Sequence, residues 1–163
     1  MTEARKKLTV TMMTTHAPYR LHRSLGYQLS LAARIQERRL EDGLRPLGLT
    51  RVTWCVLLAI GHEELRQPSE IADFVGIDRT ATSRALRHLE AEALIERASG
   101  AGDRRTRSVN LTAGGHDLLE RGVPLAQQNN AAMEALMTQA ERERLFALLT
   151  KLNTGRDGPL PGL

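Results

Sequence analysis

A chain of 163 residues holds one domain with helical extensions. Its residues are 41% hydrophobic but only 3% aromatic, which calls for a core built of Leu, Ala, Val and Ile, as in helical proteins. A formal charge of +4 and a pI near 9.8 fit a polyanionic partner.

The single cysteine excludes an intrachain disulfide framework and points to a reducing cytoplasm. No apolar run approaches the ~20 residues of a membrane span, and the basic N-terminus lacks the apolar centre of a secretion signal. No membrane partner and no cofactor are expected.

Residues 1–20 are polar and rich in Thr and Lys, and read as a flexible arm. From Leu21 to Leu44 the residues Leu25, Leu29, Ala32, Ile35, Leu40 and Leu44 keep helical spacing, and Pro46 and Gly48 end the run. Thr50 is placed to cap a short apolar helix, Arg51 to Gly61, with Val52, Val56, Ala59 and Ile60 inward. Glu63–Gln67 is a polar connector with room for a one- or two-residue strand against a neighbouring hairpin.

The run from Gln67 to Leu111 organises the chain. A helix opened by Pro68 and Ser69 ends at Val75, a turn falls at Gly76-Ile77, and a second helix runs from Asp78 to about Ala93. Two strands follow, Leu94–Ala98 and Thr106–Leu111, joined by a Gly-containing basic loop. Helix, tight turn, helix and a hairpin with arginines at its tip make a winged helix-turn-helix, a shape that reads duplex DNA. In the second helix Thr82, Ala85, Leu86, Leu89 and Ala93 fall on one side and pack. The other side carries Thr80, Ser83, Arg84 and Arg87, with Arg79 and His88 at its margins and no acid between them. Such a face suits a major groove, where Arg forks onto guanine and hydroxyls bond base edges or phosphates. A solvated polar face accounts for these residues equally well when the helix is taken alone.

The hairpin tip, Ser99 to Arg105, is too small to build core, and its arginines suit the negative potential of a narrow minor groove. Asp103 either holds one guanidinium by a charge-assisted pair or caps the turn. Beyond the hairpin, Thr112 caps a long helix from Ala113, with Leu118, Leu119, Leu125, Ala132 and Leu136 inward and a kink or fraying point at Gly122 and Pro124. Thr138-Gln139-Ala140-Glu141 is a capping-box pattern for a last helix to about Leu152, with the stripe Leu145, Leu148, Leu149 and Leu152. Residues 154–163 form a Gly/Pro tail.

Three runs carry a family resemblance: Leu89–Arg97, then Asp103-Arg104-Arg105, then Val109–Gly115. Together with Leu47-Gly48-Leu49-Thr50, Trp54, Ile71-Ala72 and Gly76–Thr80, they resemble the multiple-antibiotic-resistance regulator (MarR) family over roughly Ser24 to Leu152. The resemblance implies a mainly α homodimer: a winged helix-turn-helix with a two-stranded wing, flanked by N- and C-terminal helices in a dimerisation layer. By the same resemblance Arg105 enters the minor groove with Asp103 as its partner, and Arg104 and Ser69 hold phosphates. Double-stranded DNA with a pseudo-palindromic operator is the implied partner. Two departures stand out. Ala93 occupies a position where the family has Gly, and Thr82 one where it tends to have Val. The implied division is an arm (1–20), an N-terminal dimerisation helix (21–48), the DNA-binding domain (49–112), C-terminal dimerisation helices (113–153) and a tail (154–163).

The function expected is that of a sequence-specific transcriptional regulator, a repressor in type, relieved by a small aromatic or phenolic ligand. Arg20, His22, Arg23, Tyr27 and Trp54 are candidates to line its pocket, and Trp54 and Tyr27 are equally suited to packing. Catalytic and metal motifs are missing: no two histidines share ligand spacing, and neither a nucleophile elbow nor a Gly-rich phosphate loop occurs. Two alternatives remain open. One is a helical scaffold with a degenerate winged helix that binds protein. The other is a redox-sensing regulator using Cys55, which otherwise packs as a small hydrophobe.

Overall fold

The computed structural model describes residues 18–99 and 107–154. The arm from residue 1 to 17, the hairpin tip with Asp103, Arg104 and Arg105, and the tail from residue 155 lie outside the described residues. The chain divides into two units, residues 1–33 and residues 34–163.

In the first unit, a single 3-10 turn at Leu21–Arg23 precedes helix α1 (Leu25–Leu44), which runs on past the boundary. Leu25 and Leu29 on this helix are exposed.

The second unit contains the rest of α1, then α2 (Arg51–Gly61), α3 (Pro68–Val75), α4 (Arg79–Ala91), β1 (Ile95–Ser99), β2 (Arg107–Leu111), α5 (Ala113–Glu134) and α6 (Gln139–Asn153). Leu40 and Leu44 of α1 are buried, whereas Ile35 is exposed. A 3-10 turn at Arg45–Leu47 and the left-handed Gly48 (φ 72°) end that helix where Pro46 and Gly48 predicted. Thr50 caps α2, accepting from Thr53 N–H at 3.2 Å while Thr53 Oγ1 accepts from Thr50 N–H at 2.9 Å. The α2 stripe is broader than the spacing predicted: Thr53, Trp54 and Leu57 are buried beside Val56, Ala59 and Ile60, and Val52 is only half-buried.

β1 and β2 pair antiparallel, Ile95 opposite Leu111 and Arg97 opposite Val109. The connector forms no strand among the described residues; it contributes one ladder-like bond, Val109 N–H to Arg66 C=O at 3.0 Å. The Arg66 guanidinium also donates to Ile60 C=O at 2.6 Å, tying the end of α2 to the base of the hairpin.

Thr112 caps α5 by accepting from Gly115 N–H at 3.1 Å. The helix is continuous from Ala113 to Glu134, with Gly122 and Pro124 inside it. It stops at Glu134, so Leu136, expected on its inward stripe, falls in the following turn and is 83% exposed. Thr138 and Glu141 close the predicted capping box of α6. Leu145, Leu148 and Leu152 keep their helical stripe but are exposed, as is Phe146; no residue of α6 is buried.

Candidate nucleic-acid interface

The geometry starts at one glycine. Gly76 adopts φ 77°, ψ 29°, the left-handed region open to Gly without strain. Both Gly76 N–H and Ile77 N–H donate to Ala72 C=O, and Ile77 is buried directly after the turn. Asp78 then caps α4, its carboxylate accepting from Ala81 N–H at 2.7 Å. Thr82, inward on α4, is buried and satisfies its hydroxyl by donating to Asp78 C=O at 2.9 Å.

With Thr82, Ala85, Leu86 and Leu89 buried, the opposite face of α4 is fixed. Thr80, Ser83, Arg84 and Arg87 are exposed there, and so are Arg79 and His88 at its margins. Among the described residues no ion pair engages Arg79, Arg84 or Arg87. Arg87 Nε lies back along its own helix, donating to Ser83 C=O at 3.2 Å. Ser69 is exposed on the first turn of α3. Uncompensated cations beside hydroxyls on one helix face make an anion-seeking surface of the width a major groove admits.

The end of α4 bears on the first sequence departure. Ala93 has φ 55°, so the chain keeps the left-handed helix end although it carries a side chain there. Leu94 N–H donates to Leu89 C=O at 2.9 Å, the long bond of a Schellman closure.

A charged pair, Arg97 with Glu90, sits at the hairpin base. Arg97 faces the core side of the hairpin, in line with Ile95 and opposite the fully buried Val109. Its Nε lies 3.0 Å from Glu90 Oε2 on α4, too poorly aligned for a hydrogen bond, and Nη2 is buried with no acceptor among the described residues. Period-two alternation through Ile95-Glu96-Arg97 would have placed Arg97 inward.

The proposed ligand-lining residues divide between the units. In the first, His22 and Tyr27 meet edge to face at 5.0 Å, and Gln28 Nε2 donates to His22 C=O at 2.6 Å. Arg20 and Arg23 line an open depression of about 560 Å³ together with Pro18, Tyr19 and Ser24. In the second, Trp54 is 2% exposed and packed on Gly122. Cys55 is half-buried; burial pushes its thiol above the ordinary value, with the Arg51 guanidinium partly opposing. Among the described residues no cluster of His, Cys, Asp and Glu could hold a metal ion, and no single helix is long and apolar enough to cross a membrane.

Helix, glycine turn, capped helix and two-stranded wing define a winged helix-turn-helix protein, a class built to present one helix to duplex DNA. Comparison with known proteins narrows the class. Residues 47–106 match the MarR family. A mutant of MarR from E. coli, solved in complex with operator DNA, is 28% identical, with 78% of this chain and 92% of that chain covered at a TM-score of 0.72. BpsR from Bordetella bronchiseptica, solved for the regulation of its DNA binding by 6-hydroxynicotinic acid, is 25% identical over 78% of this chain and 97% of that one, TM-score 0.72. A probable transcriptional regulator from Pseudomonas aeruginosa is 26% identical over 82% and 99%, TM-score 0.74. The chain is thus similar to MarR-family winged helix-turn-helix regulators, by the family match over residues 47–106 and by fold over most of its length.

Proposed function

We propose that the chain is a homodimeric repressor that reads a pseudo-palindromic operator and is released from it by a small aromatic acid. The observation that carries this reading is the exposed face of α4, where Thr80, Ser83, Arg84 and Arg87 stand clear of any acidic partner among the described residues. In the proposal Arg84 and Arg87 fork onto guanines, Thr80 and Ser83 bond base edges or phosphates, and Arg79 and His88 flank them. Ser69 and Arg104 hold phosphates, and Arg105, oriented by Asp103, enters the minor groove. The E. coli relative's complex with operator DNA supports this docking.

A dimer is supported by surface that the chain leaves uncovered. Leu145, Phe146, Leu148 and Leu152 of α6 and Leu25 of α1 are apolar and exposed. One recognition helix reads only a few base pairs, so two of them about one DNA turn apart (~34–36 Å) give useful specificity. Release by a ligand is supported by BpsR, whose DNA binding is regulated by 6-hydroxynicotinic acid. In this chain Arg20 and Arg23 would supply the positive charge for such an acid, with His22 and Tyr27 of the same unit as aromatic candidates; Trp54 is a candidate within the second unit. A ligand favouring a dimer with the wrong helix spacing lowers DNA affinity by its differential binding alone.

The test is a gel shift of the purified protein on duplexes covering its own upstream region, with sedimentation to give its mass. Salt-sensitive binding to a site with inverted symmetry, by a species of twice the chain mass, is expected. Absence of salt-sensitive binding to any duplex would instead leave a protein-binding scaffold.

A further inference from the structure

We propose that Arg97 and Glu90 act together as a positioning pair that sets the pitch of the wing against the recognition helix. This rests on the DNA-binding reading above.

Three observations lead there. First, Arg97 is the inward residue of β1 one pleat beyond Ile95, opposite Val109, so its guanidinium enters the layer between hairpin and helices. A charge on the core side of a two-stranded hairpin cannot retreat to water without tilting the hairpin. Second, its acidic partner is on α4 itself. Glu90 Oε2 lies 3.0 Å from Arg97 Nε, and the two side chains are 42% and 22% exposed. Among the described residues Glu90 is the acid paired with Arg97, and Nη2 has no acceptor. Third, Glu90 follows Ser83 by seven residues, about two helical turns at 3.6 residues per turn, so it lies on the same flank as the DNA-facing strip. The pair therefore spans from the far end of the recognition surface to the root of the wing.

The opposite strand has its own anchor. Val109 N–H donates to Arg66 C=O at 3.0 Å, and Arg66 holds the end of α2. With β2 tied to α2 by backbone and β1 tied to α4 by charge, rotation of the hairpin about the β2 anchor is opposed by the Arg97–Glu90 contact. A wing at the right pitch reaches the minor groove while α4 occupies the major groove. At another pitch only α4 engages.

The experiment uses the full chain and two probes. One is a duplex selected by the unaltered protein from a randomised library. The other is the same duplex cut back to the bases that α4 reads. Glu90→Gln and Arg97→Gln should each lower affinity for the long duplex about tenfold and leave the short one nearly unchanged, and the double variant should lose no more than either single one. Glu90→Gln is isosteric at a partly exposed position, so it reports even where Arg97→Gln folds poorly. Equal losses on both duplexes, or losses that multiply in the double variant, overturn the proposal and leave the pair a stability contact. Should the unaltered protein select no duplex at all, the DNA-binding reading fails first and the positioning role falls with it.

Discussion

Trp54 and Gly122 are packed ring to backbone: a Cβ built on Gly122 would collide with the Trp54 ring at Cζ3. The indole is 2% exposed, so the ring has no free side toward which to move. Within a helix, replacing Gly by Ala ordinarily gains about 1 kcal/mol. Here overpacking against a rigid buried ring costs about 1–3 kcal/mol and decides the sign. Gly122→Ala should lower the urea midpoint, and Trp54→Leu in the same chain should recover part of the loss. A raised midpoint for Gly122→Ala would show that the helix and ring separate freely.

Ala93 predicts the opposite sign. Its φ of 55° carries the strain of a side chain in the left-handed region. Ala93→Gly should stabilise the fold by about 0.5–1 kcal/mol, the relief being partly offset by the greater freedom of Gly in the unfolded chain. Equilibrium unfolding at constant m-value reads this directly. An unchanged or lower midpoint counts against strain at the helix end.

On α4 the arginines should separate by role. Arg84→Ala and Arg87→Ala should each weaken binding to the selected duplex by about 1–3 kcal/mol and relax the base preference at one position. Arg105→Ala should weaken binding and reduce the salt slope by about one unit. Competition binding against single-base variants of the duplex separates the two patterns. A uniform loss across all bases for Arg84→Ala would assign it to phosphate.

Cys55 tests the redox alternative. Burial raises its pKa above the ordinary thiol value of 9.0, and Arg51 lowers it by less. The folded chain therefore holds the proton more tightly than the unfolded one. Stability linked to this group is complete below pH 9.0 and declines as pH rises above it. At pH 8 alkylation of Cys55 should be slow until the protein is unfolded, and Cys55→Ser should leave DNA release by peroxide unaltered. Rapid alkylation in the native state would restore a sensing role.

Much of this arrangement was legible in residue types. Thr50, Asp78, Thr112 and Thr138 each have a hydroxyl or carboxylate where a helix must begin, and each caps one. Gly76 marks the turn because its backbone takes a conformation few other residues accept. What stayed hidden depends on the partners of a face. The stripe Leu145–Leu148–Leu152 reads as apolar by spacing and goes to a dimerisation layer only by the family resemblance; nothing in the described chain covers it. Helical periodicity reports that a face is apolar, and only tertiary structure reports what lies on it. Trp54 shows the same limit: an aromatic suited to a ligand pocket is also suited to a glycine-backed slot. The spacing carries the α5 period on to Leu136, but the helix ends at Glu134 and Leu136 leaves the inward stripe.

A single hydroxyl joins two elements with different tasks. Thr112 Oγ1 donates to Ala93 C=O at 2.7 Å, just past the end of α4, and accepts from Gly115 N–H in the first turn of α5. Gly115 also lies so close to Leu94 C=O that a methyl group would collide with it. The foot of the reading helix and the start of the C-terminal rod therefore share one hydroxyl and one contact that admits only hydrogen at Gly115, so a larger residue there would push the two apart.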